Sequence, residues 1–531
     1  MYLPSGRFRR MWTPPEVVLI GAAGFVGVVL VVATGGRLAR QSLASPPTSW
    51  LGLLNPVNLT ESSGLPALLV GGVALTLLAW LRAGMRAHRG ILSPRQAVGL
   101  LAVWSIPVCL GPPILSLDVY SYAAQGMLLA TGFDPYHAAP TALAAGSPQL
   151  AAVDPLWRSA NAPYGPLAVT LFRLAHLVAG GSLIGVIVLL RLLALAGVVL
   201  IAACAVAGAP RHRRADALVL AALNPIVLFQ LLGAAHLEAI MMGLVVAGLL
   251  AVQRGRAVTG LVLLTAAAAI KWPAVLAVAA AIAWRAGAPS RPSCEDARNA
   301  SRGDGHGGGE LAAGWRRRAP ARVAGAARDA IVAGAAFAGL AALVPDGLGW
   351  VRTATTPATV LTGYTPTSIA ADLLGWGAGL LDLDPSPAGI LTFTQHAGLA
   401  ATGAVCLWTL ATIRARPLTA SAGAMLLALA ALGPVLHPWY LTWGLVPLAV
   451  RPGGPARMAV LAIASAGSFL GLQHCSLLVA DHPAALRWLR EHGGLVALAG
   501  YVAAAALCAA VSRGAAVTAS RRAAVAASRR A

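Results

Sequence analysis

EVVLIGAAGFVGVVLVVATGG, residues 16–36, is an unbroken apolar run whose only charge is Glu16 at its start. An α-helix of about 20 such residues crosses a hydrocarbon core of about 30 Å, and comparable runs recur along the chain. Of the 531 residues, 58% are hydrophobic and 11% are charged, so there is too little polar surface to cover a soluble globule. The reading is an all-α polytopic membrane protein. The first run is long and lacks a small-residue cleavage site, so it reads as a retained anchor helix and not as a removable leader.

Working outward, apolar runs and their flanks give about fourteen spans: 16–34, 64–82, 95–112, 183–208, 216–233, 237–253, 257–271, 272–285, 327–344, 389–412, 418–435, 438–451, 456–477 and 493–512. Orientation follows from the basic loops. With RFRR at the N-terminus placed in the cytoplasm, most of the 39 Lys and Arg residues fall on that side, as basic residues in short loops should. The run 163–181 is apolar enough to tempt a further crossing. Counting it would throw RHRR (211–214) outside, so it is expected to lie flat on the outer face. The chain then divides into an N-terminal transmembrane module, 1–285, with a long outer loop at 113–182. A disordered basic cytoplasmic linker follows at 286–326. A C-terminal module, 327–512, carries an outer loop at 345–388, and a basic tail runs from 513 to 531.

The net charge of +21 invites a nucleic-acid reading, but the basic residues sit in short loops and form no aromatic-interleaved stripe, so no nucleic-acid partner is expected. The six cysteines are scattered without ligand spacing, and no Gly-rich nucleotide loop of convincing form is present. His236, Glu238 and His437 could in principle meet around a metal, yet H-x-E alone is no metal signature, and neither a metal nor another cofactor is expected.

Carboxylates are scarce at a membrane interface, and each needs a reason to be there. Asp118 lies just where the third span ends on the outer side. It can be read as the N-cap of the next helix or as a catalytic group, with Tyr122 and Gln125 on its helical face. Polar and aromatic residues then gather in GFDPY (132–136), VDPLWR (153–158) and NAPYGPL (161–167), which bring Asp134, Tyr136, Arg158 and Tyr164 into a folded outer loop. From other spans His236, Glu238, Lys271, His437, Trp439 and Tyr440 converge on the same level, with Trp272 and Trp443 nearby and Asn224 within a span. The aromatic residues also suit an ordinary interfacial belt. Lys271 is harder to dismiss, being the chain's single lysine, and it suits either a snorkelling side chain or an anion site.

SLDVYSYAAQG (116–126), GFDPY, VDPLWRSANAPYGPL (153–167), the LNP and GAAHLE elements (223–225, 233–238), AIKWP (269–273) and HPWYLTW (437–443) follow one another in this order. Together they resemble the actinobacterial polyprenol-phosphomannose-dependent α-1,6-mannosyltransferases, integral-membrane glycosyltransferases of the GT-C class. The resemblance implies a GT-C-like bundle at the plasma membrane with its active site on the outer face, a polyprenyl-phosphate-mannose donor, and a lipid-linked mannan acceptor of the lipomannan and lipoarabinomannan type. By position it assigns the catalytic carboxylate to Asp118. Relatives often carry a polar middle residue in the triplet that here reads His236, Leu237, Glu238, so this chain departs from the pattern there. A lipid-linked saccharide flippase is the main alternative, but it would be expected to hold charges near the midplane and show an internal repeat. A GT-C enzyme with another sugar donor is the second.

Overall fold

The computed structural model describes residues 15–41, 65–287, 309–356, 364–470 and 472, and among these there are helices and no strand. The first eleven helices are α1 (Pro15–Gln41), α2 (Leu65–His88), α3 (Pro94–Leu110), α4 (Asp118–Ala130), α5 (Pro148–Ala152), α6 (Pro166–Val178), α7 (Leu183–Gly208), α8 (Arg214–Ala221), α9 (Glu238–Gln253), α10 (Ala257–Ile270) and α11 (Val275–Ala286). The protein is a polytopic helical membrane protein. By length and composition, five described helical stretches can cross a bilayer: Pro15–Gly35, Ala67–His88, Leu183–Gly208, Arg322–Ala341 and Pro387–Ala411.

The fourteen expected spans are not all present as membrane-length helices. Several of them, such as α10, α11 and Leu441–Val450, are helices of 10 to 14 residues, too short at 1.5 Å per residue to cross unaided. The physical reason is punctuation: Pro273 follows Lys271 at the end of α10, and Pro438 opens the turn before Leu441. The expected span 493–512 and the basic tail lie outside the described residues. Helix α6, with 13 residues, is likewise too short to cross. Within the expected linker, residues from Gly309 onward belong to a helix that runs to Ala341, in keeping with the strong helix propensity of its Ala and Arg residues; residues 288–308 are not among those described.

With few polar side chains available, the helices dock through small residues and backbone carbonyls. A methyl group on Gly197 of α7 would come 2.3 Å from the Ala239 carbonyl carbon of α9, so that crossing requires glycine. Trp80 donates its indole N–H to the Val219 carbonyl at 2.8 Å, and Trp104 to that of Gly21 at 3.0 Å, tying α2 to α8 and α3 to α1. At the end of the bundle remote from Asp118, fully buried Asp216 accepts from Arg457 at 3.2 Å and meets His88 at 3.1 Å, while Arg457 also donates to the Gly84 carbonyl. A buried carboxylate is tolerable there because its charge and its lone pairs are all matched.

The segment after α8 departs furthest from regular helix. Asn224 accepts the Ile226 N–H in a tight side-chain turn and Pro225 breaks the hydrogen-bond ladder. A wide π-helical stretch, Val227–Gly233, follows and meets α9 at a bend of 112°. Such turns recur at functional sites. This break carries His236 and Glu238 to the same level as Asp118.

Candidate active site

Asp118 is the first residue of α4, not its cap: the cap position falls on Leu117, and no side chain caps the helix. The cap reading is thus corrected; the chain enters the helix just after Leu115, which lies in the left-handed region at φ 61°. The Asp118 N–H donates to Ser116 Oγ at 3.2 Å. Its side chain lines a pocket, in the first turn where the helix dipole favours negative charge.

That pocket is lined by Asp118, Ser121 and Gln125 from α4, by Trp157, Asn161, Pro163 and Tyr164 from the loop that follows, by Lys271, by Thr356, and by His437, Trp439 and Tyr440. Gly165 holds the loop in place. Its N–H donates to the last carbonyl of α10, at Ile270, over 3.0 Å, and a side chain there would strike the Ala269 backbone. Tyr164 is thereby set beside Lys271.

Behind the pocket wall lies a second layer. His236 Nδ1 stands 3.7 Å from Asp118 Oδ2 and 3.2 Å from the Tyr122 hydroxyl. The His236 ring stacks on Trp439 with centroids 3.9 Å apart, and His437 stacks on the same indole at 4.6 Å. Lys271 Nζ donates to Glu238 Oε1 at 2.6 Å and lies 4.5 Å from the Tyr440 ring centroid and 5.5 Å from that of Trp443. Both members of that pair are buried, so each charge depends on the other and on the aromatic faces around it.

Only 17% of the Asp118 side chain is exposed. Burial pushes its carboxyl up to about 7; the Lys271 charge and the Ser116 hydrogen bond oppose the shift, and the Glu238 and Asp154 carboxylates add to it. A carboxylate with this poise exchanges a proton near neutrality, which is what a general base requires.

Two features upstream fix the Asp118–His236 relationship. Leu115 and Ala235 are two of the three non-glycine residues with positive φ among those described. One precedes Asp118 by three positions and the other immediately precedes His236. Strain of this kind persists only where the surroundings enforce it. Arg191 of α7, 3% exposed, does so: its guanidinium donates to the Gly111 carbonyl, to that of Gly233 at 3.1 Å and to that of Cys109 at 3.4 Å. The end of α3 and the end of the π-helical stretch are clamped to one group.

The remaining expected residues lie away from the pocket. Arg158 donates to the Val153 and Ala151 carbonyls at 3.0 and 3.2 Å and so fastens its own loop. Asp134 accepts the Tyr136 N–H at 2.9 Å and meets His137 Nδ1 at 3.0 Å, while buried Tyr136 packs under Gly349. Asp134, His137 and Asp346 offer ligand atoms within 4.8 Å of one another, a geometry compatible with a cation. Arg352 already donates to His137 Nε2 at 2.8 Å and to Asp346 at 2.6 Å, supplying positive charge there. Ser121, Trp157, Asn161 and Thr356 are pocket residues that the sequence reading did not single out. Ser121 sits at i+3 from Asp118 and was reachable by the same helical spacing that picked Gln125.

The sequence that gathers an acid, a buried lysine pair and aromatic walls around one pocket matches known family models along most of its length. The model described as alpha-(1->6)-mannopyranosyltransferase, N-terminal domain, matches residues 22–287, and that of the MptB C-terminal domain matches residues 366–511. The chain belongs to the alpha-(1->6)-mannopyranosyltransferase family. Alpha-(1->6)-mannopyranosyltransferase A of Mycobacterium tuberculosis is 31% identical over 461 residues, which cover 84% of this chain and 82% of the relative. Alpha-(1->6)-mannopyranosyltransferase B of Corynebacterium glutamicum is 28% identical over 399 residues, 71% of this chain and 64% of the relative. No solved structure matches the chain. Every pocket residue of this mannopyranosyltransferase family member except Thr356, His437, Trp439 and Tyr440 falls within the N-terminal match.

Proposed function

We propose that the protein is an inverting mannosyltransferase. It moves mannose from a polyprenyl-phosphate donor to the 6-hydroxyl of a lipid-linked mannan acceptor, forming an α-1,6 linkage on the outer face of the plasma membrane. The observation that carries the reading is Asp118, a carboxylate poised near neutrality in a pocket it shares with Lys271 and aromatic side chains, in a chain of this family. The acceptor's primary hydroxyl attacks the anomeric carbon from the face opposite the phosphate. Asp118 takes its proton, the new C–O bond forms as the bond to the phosphate oxygen breaks, and the prenyl phosphate departs with that electron pair. One displacement turns a β-linked donor into an α-linked product, so a single base suffices.

Lys271 lines the pocket with one of its three donors committed to Glu238, and it is the group assigned to the departing phosphate. Arg158, spent on backbone carbonyls, is assigned to the loop. His236, held by Tyr122 and Trp439, orients the Asp118 carboxylate. Apolar helix surfaces hold the prenyl chain, at roughly 0.8 kcal/mol per buried CH₂. Most basic residues fall in loops on the side opposite Asp118, which supports the outer-face assignment. The test is transfer of labelled mannose from polyprenyl-phosphomannose to a short α-1,6-mannoside by purified protein in lipid, with a reporter fused after Pro140 reading orientation. Transfer by wild type and its loss in Asp118→Asn are expected. Normal transfer by a well-expressed Asp118→Asn protein, or a cytoplasmic reporter, would overturn the base or the orientation.

A further inference from the structure

Asp118, Ser121 and Gln125 occupy positions i, i+3 and i+7 of α4 and form one stripe along the pocket wall. Ser121 is 5% and Gln125 4% exposed, and neither Ser121 Oγ nor Gln125 Oε1 has a hydrogen-bond partner. Buried polar atoms are nearly always satisfied, and an orphan of this kind calls for an explanation. Helix hydroxyls elsewhere in the chain satisfy themselves by folding back onto the carbonyl four residues earlier, as Thr76, Thr131 and Ser468 do at 2.6 to 2.9 Å. Ser121 does not. Other unpartnered helix hydroxyls, Thr265 and Ser421 among them, do not line the pocket.

We propose that Ser121 and Gln125 are the hydroxyl-reading floor of a mannosyl subsite, deciding which pyranose seats against Asp118. The proposal rests on the transferase reading above and names the part of the substrate this wall recognises. The chemistry of the orphans selects the ligand. An amide oxygen is an acceptor only, so it needs a partner that brings a proton. A sugar hydroxyl does, whereas an ionised phosphate brings none. Of the other polar groups of the pocket, Lys271 gives one donor to Glu238, and the Asn161 amide gives an N–H to the Tyr136 carbonyl at 3.1 Å. Trp157, Trp439 and Tyr440 complete the wall with aromatic side chains. Seven residues of helix rise about 10 Å, so this floor and the Asp118 carboxylate lie within the reach of one or two sugar rings.

The hydroxyls read are those of the donor mannose or of the terminal acceptor mannose, and the experiment separates the two. Ser121→Ala and Gln125→Leu are compared with wild type in lipid nanodiscs, using polyprenyl-phosphomannose and an α-1,6-mannobioside, each also supplied as monodeoxy analogues. With the parent substrates each variant is expected to lose roughly 10- to 100-fold in kcat/KM. With one deoxy analogue the loss already suffered by wild type should not deepen, the non-additivity expected when residue and hydroxyl are partners. Non-additivity in the donor series places the donor sugar on this floor, and in the acceptor series the acceptor sugar. Either outcome supports the proposal. Folded variants that penalise every deoxy analogue as wild type does would overturn it. Binding of free α-1,6-mannobiose by saturation-transfer NMR is read on the same samples. If wild type transfers nothing from the lipid donor, the function above fails on its own, and unchanged binding by both variants of free mannobiose and of mannosyl phosphate, read in the same way, would still sink the hydroxyl floor.

Discussion

The Asp118 carboxylate and the His236 ring stand 3.7 Å apart across the junction of two chain breaks, one ending at the start of α4 and the other at the end of a π-helical stretch. Neither residue reaches the other through regular helix. Left-handed backbone at Leu115 and Ala235 turns both into one pocket wall, so the geometry of the proposed base is held by strain that the surrounding structure maintains.

Asp118 makes the pH dependence of transfer a direct test. Its pKa is raised to about 7, chiefly by burial. A base must be deprotonated, so kcat/KM is expected to rise with pH through about 7 and level off above it. Asp118→Asn should lose about 10²- to 10⁴-fold, and its residual rate should lack that limb. An acidic limb near pH 4, the ordinary carboxylate range, would remove Asp118 from the role.

The same shift has a consequence for stability with the opposite sense. Between the unfolded value near 4 and the folded value near 7, the unfolded chain gives up its proton while the native chain keeps it. Stability contributed at low pH is therefore lost as pH rises through 7. Asp118→Asn, which carries no charge, is expected to melt higher than wild type at pH 8 and to differ little at pH 4. Thermal melts in detergent at the two pH values check this, and a variant less stable at pH 8 would contradict it.

Breaking the Glu238–Lys271 pair leaves a buried charge alone. Glu238→Gln or Lys271→Met should each cost about 3–5 kcal/mol. Replacing both, as Glu238→Leu with Lys271→Met, should recover much of that stability and none of the transfer activity, because the pocket then lacks its ammonium. Melting of the two single variants and the double variant decides the point. An additive loss would show that the two side chains do not act as a pair.

What the sequence made legible follows from rarity. In a chain built of Ala, Leu, Val and Gly, a carboxylate, a single lysine and an HPWY turn stand out, and Asp118, Gln125, Tyr164, Lys271, His437, Trp439 and Tyr440 share one pocket. Ser121 and Thr356 did not stand out, because Ser and Thr are common in membrane helices and usually bond their own backbone. Cap and first residue could not be told apart at Asp118, since the left-handed turn at Leu115 has no sequence signal; only Gly or Asn would have announced it. Among the described residues, not every expected span is a single membrane-length helix. Apolar composition counts segments, but proline and the Asn224–Pro225 break decide whether a segment continues as helix.

The Asp134, His137 and Asp346 cluster leads to a prediction about metal removal. Arg352 donates to both His137 and Asp346 and holds the Asp346 carboxyl below its usual range. A chelator is therefore expected to leave transfer intact, and Arg352→Gln to loosen the contact between the segments that carry His137 and Asp346. Transfer rate before and after chelation measures the first, and protease susceptibility the second. Loss of activity on chelation, restored by a divalent ion, would put a cation where the guanidinium now sits.

Arg191 gives the sharpest separation between positioning and plain structure. Its side chain serves carbonyls of two breaks that lead to Asp118 and His236 and does not line the pocket. Arg191→Met should release both breaks. With substrate contacts intact, KM for the lipid donor is expected to hold within about twofold while kcat falls by about 10²-fold, since a shift of 1 Å in a reacting group costs about that much. Arg191→Lys keeps the charge and loses the planar fork that reaches separate carbonyls, so it should recover only part of the rate. The pH limb near 7 should also move in Arg191→Met, because the burial that raises Asp118 depends on the wall it forms with His236. A folded Arg191→Met protein with unchanged kcat and an unmoved limb would show that the strained breaks hold themselves, and that Arg191 serves the bundle alone.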